Sequence, residues 1–378
     1  MDDPGAQPPD HRSFIGFGDP DDGHSAELGK PEGKGFIRRH KAITALLTVF
    51  VLVGASVLAV AFYLNHEIGN IPRIDLNLPA ANRPAAPSGK YQQSMNILLA
   101  GADNGDAGGE TIAQTVKKGT WSPGVHRSDT IMVLHLTSDR RHAYLISVPR
   151  DTYTGIDGYG MQKINAAFSF GGPSLYVQTL EQFTGLRMQH LAIIDWNGFR
   201  DLSTALGGVR VYVAKNTYDS SSSKIIWSQG YTTLEGERAL AYVRTRHGLS
   251  NGDFDRIQRQ QNFMRAALSQ AASKGSLTNP IRFKNMLHAI TTNLTVDSEF
   301  SNSDIRSLAW SLRQLRPKDI TFITSPMKRF DQNASGDVII PDLAKTRELF
   351  GDVATDDLGV YVSKYGGAGS LGTPTNVS

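Results

Sequence analysis

The sequence predicts an α/β fold, a three-layer α/β/α arrangement around a central mixed sheet, preceded by one membrane-crossing helix. Three observations predict it. Between residues 95 and 353, short β-branched apolar runs alternate with helix-length segments that carry an apolar stripe. Ahead of them, residues 43–64 form a run of 22 residues without a charge. The stretches outside these regions are polar and rich in Asp, Gly or Pro, the composition of chain that builds no core.

In chain order, residues 1–41 read as a disordered cytoplasmic tail. The run 43–64, ITALLTVFVLVGASVLAVAFYL, reaches roughly 33 Å as a helix, enough to cross a hydrocarbon core, so 42–64 is assigned as an anchor. A signal peptide would be shorter and nearer the terminus. Lys34, Arg38, Arg39 and Lys41 precede the run, whereas NHEIGNIP after it has no Lys or Arg. The positive-inside bias then puts the amino terminus in the cytoplasm and everything after Asn65 outside. Pro72, Pro79, Pro84 and Pro87 make residues 65–94 an extended linker.

The folded domain is expected over 95–353. MNILLAG, DTIMVLHLT and HAYLISV are strands, and PSLYVQTLEQFTG is a helix opened by Pro173 and closed by Gly185. LAIID is a strand, WNGFRDLSTALGG a helix and VRVYV a strand again; the serines at 220–223 mark a loop. Thr232 and Glu235 have capping-box spacing for a short helix ending near Tyr242, after which 243–246 is extended. Asp253 caps the next helix, whose stripe is Ile257, Met264, Leu268 and Ala271. Ser301 or Ser303 caps a helix through Leu315, DITFIT is a strand, and 354–378 reads as a disordered tail.

A formal charge of +3 on 378 residues gives no global argument for nucleic acid, so any cationic site must be local. The absence of cysteine excludes thiolate chemistry. His126, His135, His142, His190 and His247 show no zinc-enzyme spacing, and neither GxSxG nor a Walker loop occurs. What stands out is AYVRTRHGLSNGDFDRIQRQQ, with Arg244, Arg246, Arg256 and Arg259. On an extended 243–246, Arg244 and Arg246 share a face; on the following helix Arg256 and Gln260 do. Guanidinium forks suit phosphate, although Asp253 and Asp255 offer a plain surface pairing. Asp103 and Asp129 fall at strand ends beside Arg127: a Mg²⁺ site serving a phosphate ligand, or simply a turn and a partner for Arg127. Arg150 and Lys163 fall near the same strand ends, where ligands of α/β sheets bind. Trp196 and Phe199 are expected to pack a helix on the core, and His126 to lie on the surface.

LLAGAD, HRSDTIMVLHL, SVPRDTY, KINAAFSFGG, ALGGV, LEGERALAYVRTR and DFDRIQRQQ, in this order behind one membrane helix, resemble the LytR-CpsA-Psr family. The resemblance implies an extracellular phosphotransferase that moves a glycopolymer from a polyprenyl-pyrophosphate carrier to a peptidoglycan hydroxyl. It further implies a lipid tail in an apolar channel and a pyrophosphate at its mouth. By motif position, Asp103 and Asp129 would hold Mg²⁺, while Arg127, Arg150, Lys163, Arg244, Arg246, Arg256 and Gln260 would bind the pyrophosphate. Arg127, Asp129 and Arg246 would stand nearest the chemistry, and Arg259 would face solvent. His126 and the long loop 104–125 with Trp121 depart from the motif. A polyprenyl-pyrophosphate hydrolase or a lipid-linked glycan-binding protein would use the same site. A nucleic-acid-binding attenuator would need the opposite topology. Teichoic acid, capsule, arabinogalactan and glycoprotein glycans are all open as the polymer moved.

Overall fold

The structure, a computed structural model, describes residues 34–103, 110–218, 225–245, 253–273, 278–365 and 370–373. It divides into two units, Met1–Val60 and Ala61–Ser378. A helix, α1 (Lys34–Gly69), is the described part of the first and the start of the second. Among the described residues, Phe50–Gly69 is the stretch long and apolar enough to cross a membrane. Phe50, Leu52, Val53 and Leu58 are all exposed.

In the second unit the chain runs β1 (Arg73–Ile74), β2 (Met95–Asp103), α2 (Ile112–Lys118), β3 (Arg127–Leu136) and β4 (Ala143–Ser147). The hairpin β5 (Tyr153–Ile156) and β6 (Gly160–Lys163) leads to α3 (Ala166–Thr184), β7 (His190–Asp195) and α4 (Trp196–Ala205). Next come β8 (Val209–Val213), β9 (Thr217–Tyr218), β10 (Ile225–Trp227), β11 (Gly230–Leu234), α5 (Gly236–Arg244) and α6 (Asp253–Ala271). The chain closes with α7 (Pro280–Asn293), β12 (Leu294–Asp297), α8 (Asn302–Gln314), β13 (Ile320–Thr324), β14 (Met327–Asn333), β15 (Gly336–Pro341), α9 (Leu343–Ala354) and α10 (Leu358–Tyr365). Among the described residues seven strands form the main sheet, in the order β1-β12-β7-β2-β3-β4-β13. Its pairing is mixed: β2 is parallel to β7 and antiparallel to β3.

Side-chain alternation explains why both faces are covered. On β3, Ile131 and Val133 enter one core and Met132 and Leu134 the other; on β4, Tyr144 and Ile146 part from Leu145 in the same way. The first core lies under α2, α3, α9 and α10. The second lies under α6, α8 and the end of α1. A third, smaller core joins α4, α5, α6 and α7 to the β8–β11 hairpin. The expected α/β/α layering is therefore present.

Three boundaries differ from the expectation. The linker assigned to 65–94 is part of the fold: Ile68, Ile71 and Ile74 are buried, and β1 pairs with β12 at the sheet edge. Past Val353 the chain is helical over α10, because Leu358 and Tyr361, three apart, form a buried stripe that the glycine-rich end of the sequence obscures. Thr232 caps no helix; it pairs with Val211 in the β8–β11 ladder, where a β-branched residue fits. By contrast, Ser301 and Asp304 form the capping box of α8.

Two buried polar contacts tie the outer segments down. Arg83 donates to both carboxylate oxygens of Glu181 on α3, at 2.9 and 2.7 Å, and to the Met188 carbonyl at 2.7 Å. Glu181 is 1% exposed. Asp356, in the turn between α9 and α10, accepts from the Ser138 amide at 2.8 Å and faces the buried His135 ring at 2.8 Å. Burial alone would raise the Asp356 carboxyl, but the bonds from His135 and Ser138 outweigh it and hold it below its ordinary value.

Arg83→Ala is expected to cost about 3 kcal/mol in urea unfolding, the low end for an orphaned buried charge because Arg187 also lies near Glu181. Asp356, being depressed in the fold, contributes stability above its unfolded pKa of about 4 and loses it as pH falls through its lower folded value. Urea midpoints measured from pH 7 downward should therefore fall more steeply for the wild type than for Asp356→Asn.

Candidate functional site

The site forms where β2 ends and β3 begins. The two strands pair regularly until Gly101 meets Thr130; the register then slips and Ala102 meets Ser128, leaving Asp129 as the extra residue of a β-bulge. Gly101 allows this approach, since a Cβ there would lie 2.9 Å from the Thr130 Cβ. The bulge re-aims Asp129, whose carboxylate holds the Arg150 guanidinium. Arg150 lies just past β4, and its Nε is 3.6 Å from Asp151. Asp151 in turn holds Lys163 Nζ at 3.2 Å. Backbone bonds from Ile164 to Thr152 and from Asn165 to Arg150 bind the β5–β6 hairpin to this corner. The result is a row of alternating charge: Asp129, Arg150, Asp151, Lys163.

A second pair stands beside it. Asp103 ends β2 opposite Arg127 on β3, and the Arg244 Nη2 lies 3.7 Å from its carboxylate. Arg244 lies over the Trp196 ring, 5.0 Å from its centroid. Trp196 begins α4 directly after β7, and Asp195 both pairs with Ala102 and caps α4 through the Gly198 amide at 2.8 Å. Trp196 thus packs as expected, and it also carries an arginine. Arg127 is exposed and, among the described residues, makes no ion pair.

Arg244 does not sit on an extended segment, as the sequence suggested. It is the last residue of α5, because Ala239, Leu240, Tyr242 and Val243 are all buried and carry the helix two residues past Tyr242. Gln260 Nε2 donates to the Val243 carbonyl at 3.2 Å, joining α6 to this last turn. Arg256, one turn earlier on α6, is buried. Arg246 and His247 lie outside the described residues.

Residues 73–349 match the LytR-CpsA-Psr family. The chain belongs to that family. It is 38% identical over 256 residues to the probable cell wall biosynthesis protein LcpB of Corynebacterium glutamicum, covering 68% of this chain but 60% of that one. Over 277 residues it is 30% identical to the polyisoprenyl-teichoic acid–peptidoglycan teichoic acid transferase TagU of Bacillus subtilis, covering 71% of this chain and 83% of that one. Among solved structures, the LytR-Csp2A-Psr enzyme from Actinomyces oris matches with a TM-score of 0.57 at 22% identity, over 75% of this chain and 96% of that one, a likeness of fold.

In this LytR-CpsA-Psr chain the motif residues Asp103, Asp129, Arg150, Lys163 and Arg244 gather at one end of the sheet, with Arg127 at its rim. Gln260 is linked to them through α5. Asp103 and Asp129 are each held by an arginine, Arg244 and Arg150 respectively.

Two residues expected on the surface are inside. His126 is buried under Trp121, with ring centroids 4.3 Å apart, and burial holds its pKa below the ordinary histidine value. Trp121 folds inward because α3 kinks at Gly171 and Gly172; a Cβ on Gly172, whose φ is +66°, would meet the indole at 3.3 Å. Arg259 is 1% exposed, donating to Thr217 Oγ1 at 2.5 Å and lying 5.0 Å from the Tyr242 ring centroid. Burial pulls its pKa down, and Tyr242 and Asp255 oppose that. It therefore ties β9, α5 and α6 together.

Sequence reasoning also missed Asp151 and Tyr176. Asp151 directly follows Arg150 in SVPRDTY and so had a signal. Tyr176 had none: it is a buried α3 residue whose hydroxyl lies 2.9 Å from Ser128 Oγ. Burial pushes that hydroxyl far above its usual range, the Ser128 bond opposes this and the Asp129 charge adds to it.

Arg259→Met should lower stability in urea unfolding by about 2 kcal/mol, the scale of a lost buried hydrogen bond from a charged donor. Arg259→Lys is expected to recover part of that loss, since an ammonium reaches Thr217 but lacks the planar fork.

Proposed function

We propose that this chain is a membrane-anchored extracellular phosphotransferase. It moves a glycopolymer from a polyprenyl-pyrophosphate carrier onto a peptidoglycan hydroxyl as a phosphodiester. One observation carries the reading: two carboxylates at neighbouring strand ends are each engaged by an arginine from a different element, Asp129 by Arg150 and Asp103 by Arg244. Such paired charges are stable without ligand and convert readily to ligand contacts. The similarity to LcpB, named for cell wall biosynthesis, and to TagU, named for teichoic acid transfer to peptidoglycan, supports the same reaction class. The apolar stretch Phe50–Gly69, with Arg38, Arg39 and Lys41 ahead of it, supports an anchor with the second unit outside the cell.

On binding, the diphosphate oxygens draw Arg150 and Arg244 from their carboxylates, with Lys163 and Arg127 at the edge of the same charge. Mg²⁺ held by Asp103 and Asp129 would supply further neutralisation of the phosphate oxygens. The acceptor hydroxyl attacks the sugar-proximal phosphorus in line, the bond to polyprenyl phosphate breaks, and the hydroxyl proton passes to a carboxylate of the cluster. Charge spreads over the equatorial oxygens in that step, so fixed guanidinium groups are worth most there. With water as acceptor, the same site is a pyrophosphatase.

The test uses the full-length protein in detergent with Mg²⁺, a short polyprenyl-pyrophosphate-linked sugar and a peptidoglycan oligomer. The acceptor is expected to gain a sugar phosphate, and polyprenyl phosphate release should rise when acceptor is added. Arg150→Ala and Arg244→Ala should each lower turnover by about 10²–10³-fold, the scale of removing one transition-state donor. Release that ignores every acceptor tried would leave the hydrolase reading in its place. Chelation by EDTA should abolish transfer, and added Mg²⁺ should restore it.

A further inference from the structure

We propose that the outer face of α8 is a lipid-docking surface that lies on the phosphate headgroups of an anionic membrane. This inference rests on the membrane-anchored reading above. The inner stripe of α8, Ile305, Leu308 and Leu312, packs on the second core. Its outer face carries Arg306, Ser307, Trp310, Arg313 and Gln314, all exposed, with Trp310 58% exposed. The Arg313 guanidinium lies 4.2 Å from the Trp310 ring centroid. Arg316 and Lys318 follow, also exposed.

Cations outnumber carboxylates on this side, and both carboxylates are engaged by backbone or hydroxyl groups. Asp304 is turned back on Ser301 in the capping box, and Asp319 accepts from the Arg316 amide at 2.9 Å. Among the described residues, Arg306, Arg313, Arg316 and Lys318 make no ion pair. Four cations and an exposed indole, none of the cations ion-paired, form an unusual surface for water alone, and a fitting one for phosphate over hydrocarbon.

Position supplies the second argument. Arg73 donates to Asn302 Oδ1 at 2.5 Å, and Asn302 lies beside Gly69. Arg306 donates to Asn65 Oδ1, also at 2.5 Å. Four residues forward on α8 therefore correspond to four residues back on α1, so the two helices run antiparallel. Another turn, about 6 Å, brings Trp310 level with Ala61, inside the uncharged run 43–64. Phe62 there is 76% exposed. The cationic face thus begins at the depth where the apolar run ends. Tryptophan favours that boundary, and arginine there keeps its head among phosphates while its stem covers apolar surface.

The chain has no cysteine, so single labels are direct. The full-length protein is spin-labelled at Ser307→Cys, or at Val53→Cys as the anchor control. It is placed in nanodiscs of phosphatidylcholine with or without phosphatidylglycerol. Collision with oxygen and with a water-soluble nickel chelate reads the depth. The Val53 label is expected in hydrocarbon in both discs. The Ser307 label should lose nickel accessibility several-fold in the anionic discs alone, and Arg313→Gln with Arg316→Gln and Lys318→Gln should reverse this. That variant leaves the Arg306–Asn65 contact and the core intact. A Val53 label in water would overturn the anchored reading and the docking with it. A Val53 label in hydrocarbon with a Ser307 label equally open to nickel in both discs would overturn the docking alone. Shielding of Ser307 by a soluble polyanionic glycan, and not by anionic lipid, would also overturn it.

Discussion

A sheet covered on both faces leaves charge only one place to go: the ends of its strands. Apart from the buried Asn96–His135 pair, the interior positions of β2, β3, β4 and β7 point mostly into one of two apolar cores, where a carboxylate would be desolvated without relief. Asp103, Asp129, Arg150 and Asp195 all fall where these strands start or stop. The alternation that builds the layers thus also concentrates the ionic chemistry along one rim. In the main sheet, among the described residues, the ladder slips register at Asp129, and it does so at that rim.

The rim is held from outside by a second set of contacts that are mostly uncharged. Gln260 joins α6 to the end of α5, Gln261 bonds to Ser147 and Thr324 across two strands, and Arg259 fills the space between α5, α6 and β9. Arg244 is aimed by three constraints: the buried stripe of α5, the indole of Trp196 and the carboxylate of Asp103. Supporting groups of this kind limit how far that guanidinium can stray from Asp103.

Much of this was legible in the sequence because strands and caps are local. The runs that became β2, β3, β4, β7 and β13 were readable from alternation, and the motif aspartates and arginines from their place at the ends of those runs. What was not legible depended on distant partners. Arg259 reads as surface on a charged helix and is buried because Thr217 and Tyr242, far away in sequence, close over it. His126 is covered by Trp121, which is itself drawn in by a glycine kink in α3. The segments 65–94 and 358–365 look like loose chain by composition, yet single residues such as Arg83, Ile74, Leu358 and Tyr361 suffice to fasten them.

The burial of Ile68, Ile71 and Ile74 has a mechanical consequence. A thirty-residue extended leash would carry slack that grows with its length. Seated at the sheet edge through the pairing of β1 with β12, residues 68–74 carry none, so a force on the end of α1 passes straight into the main sheet.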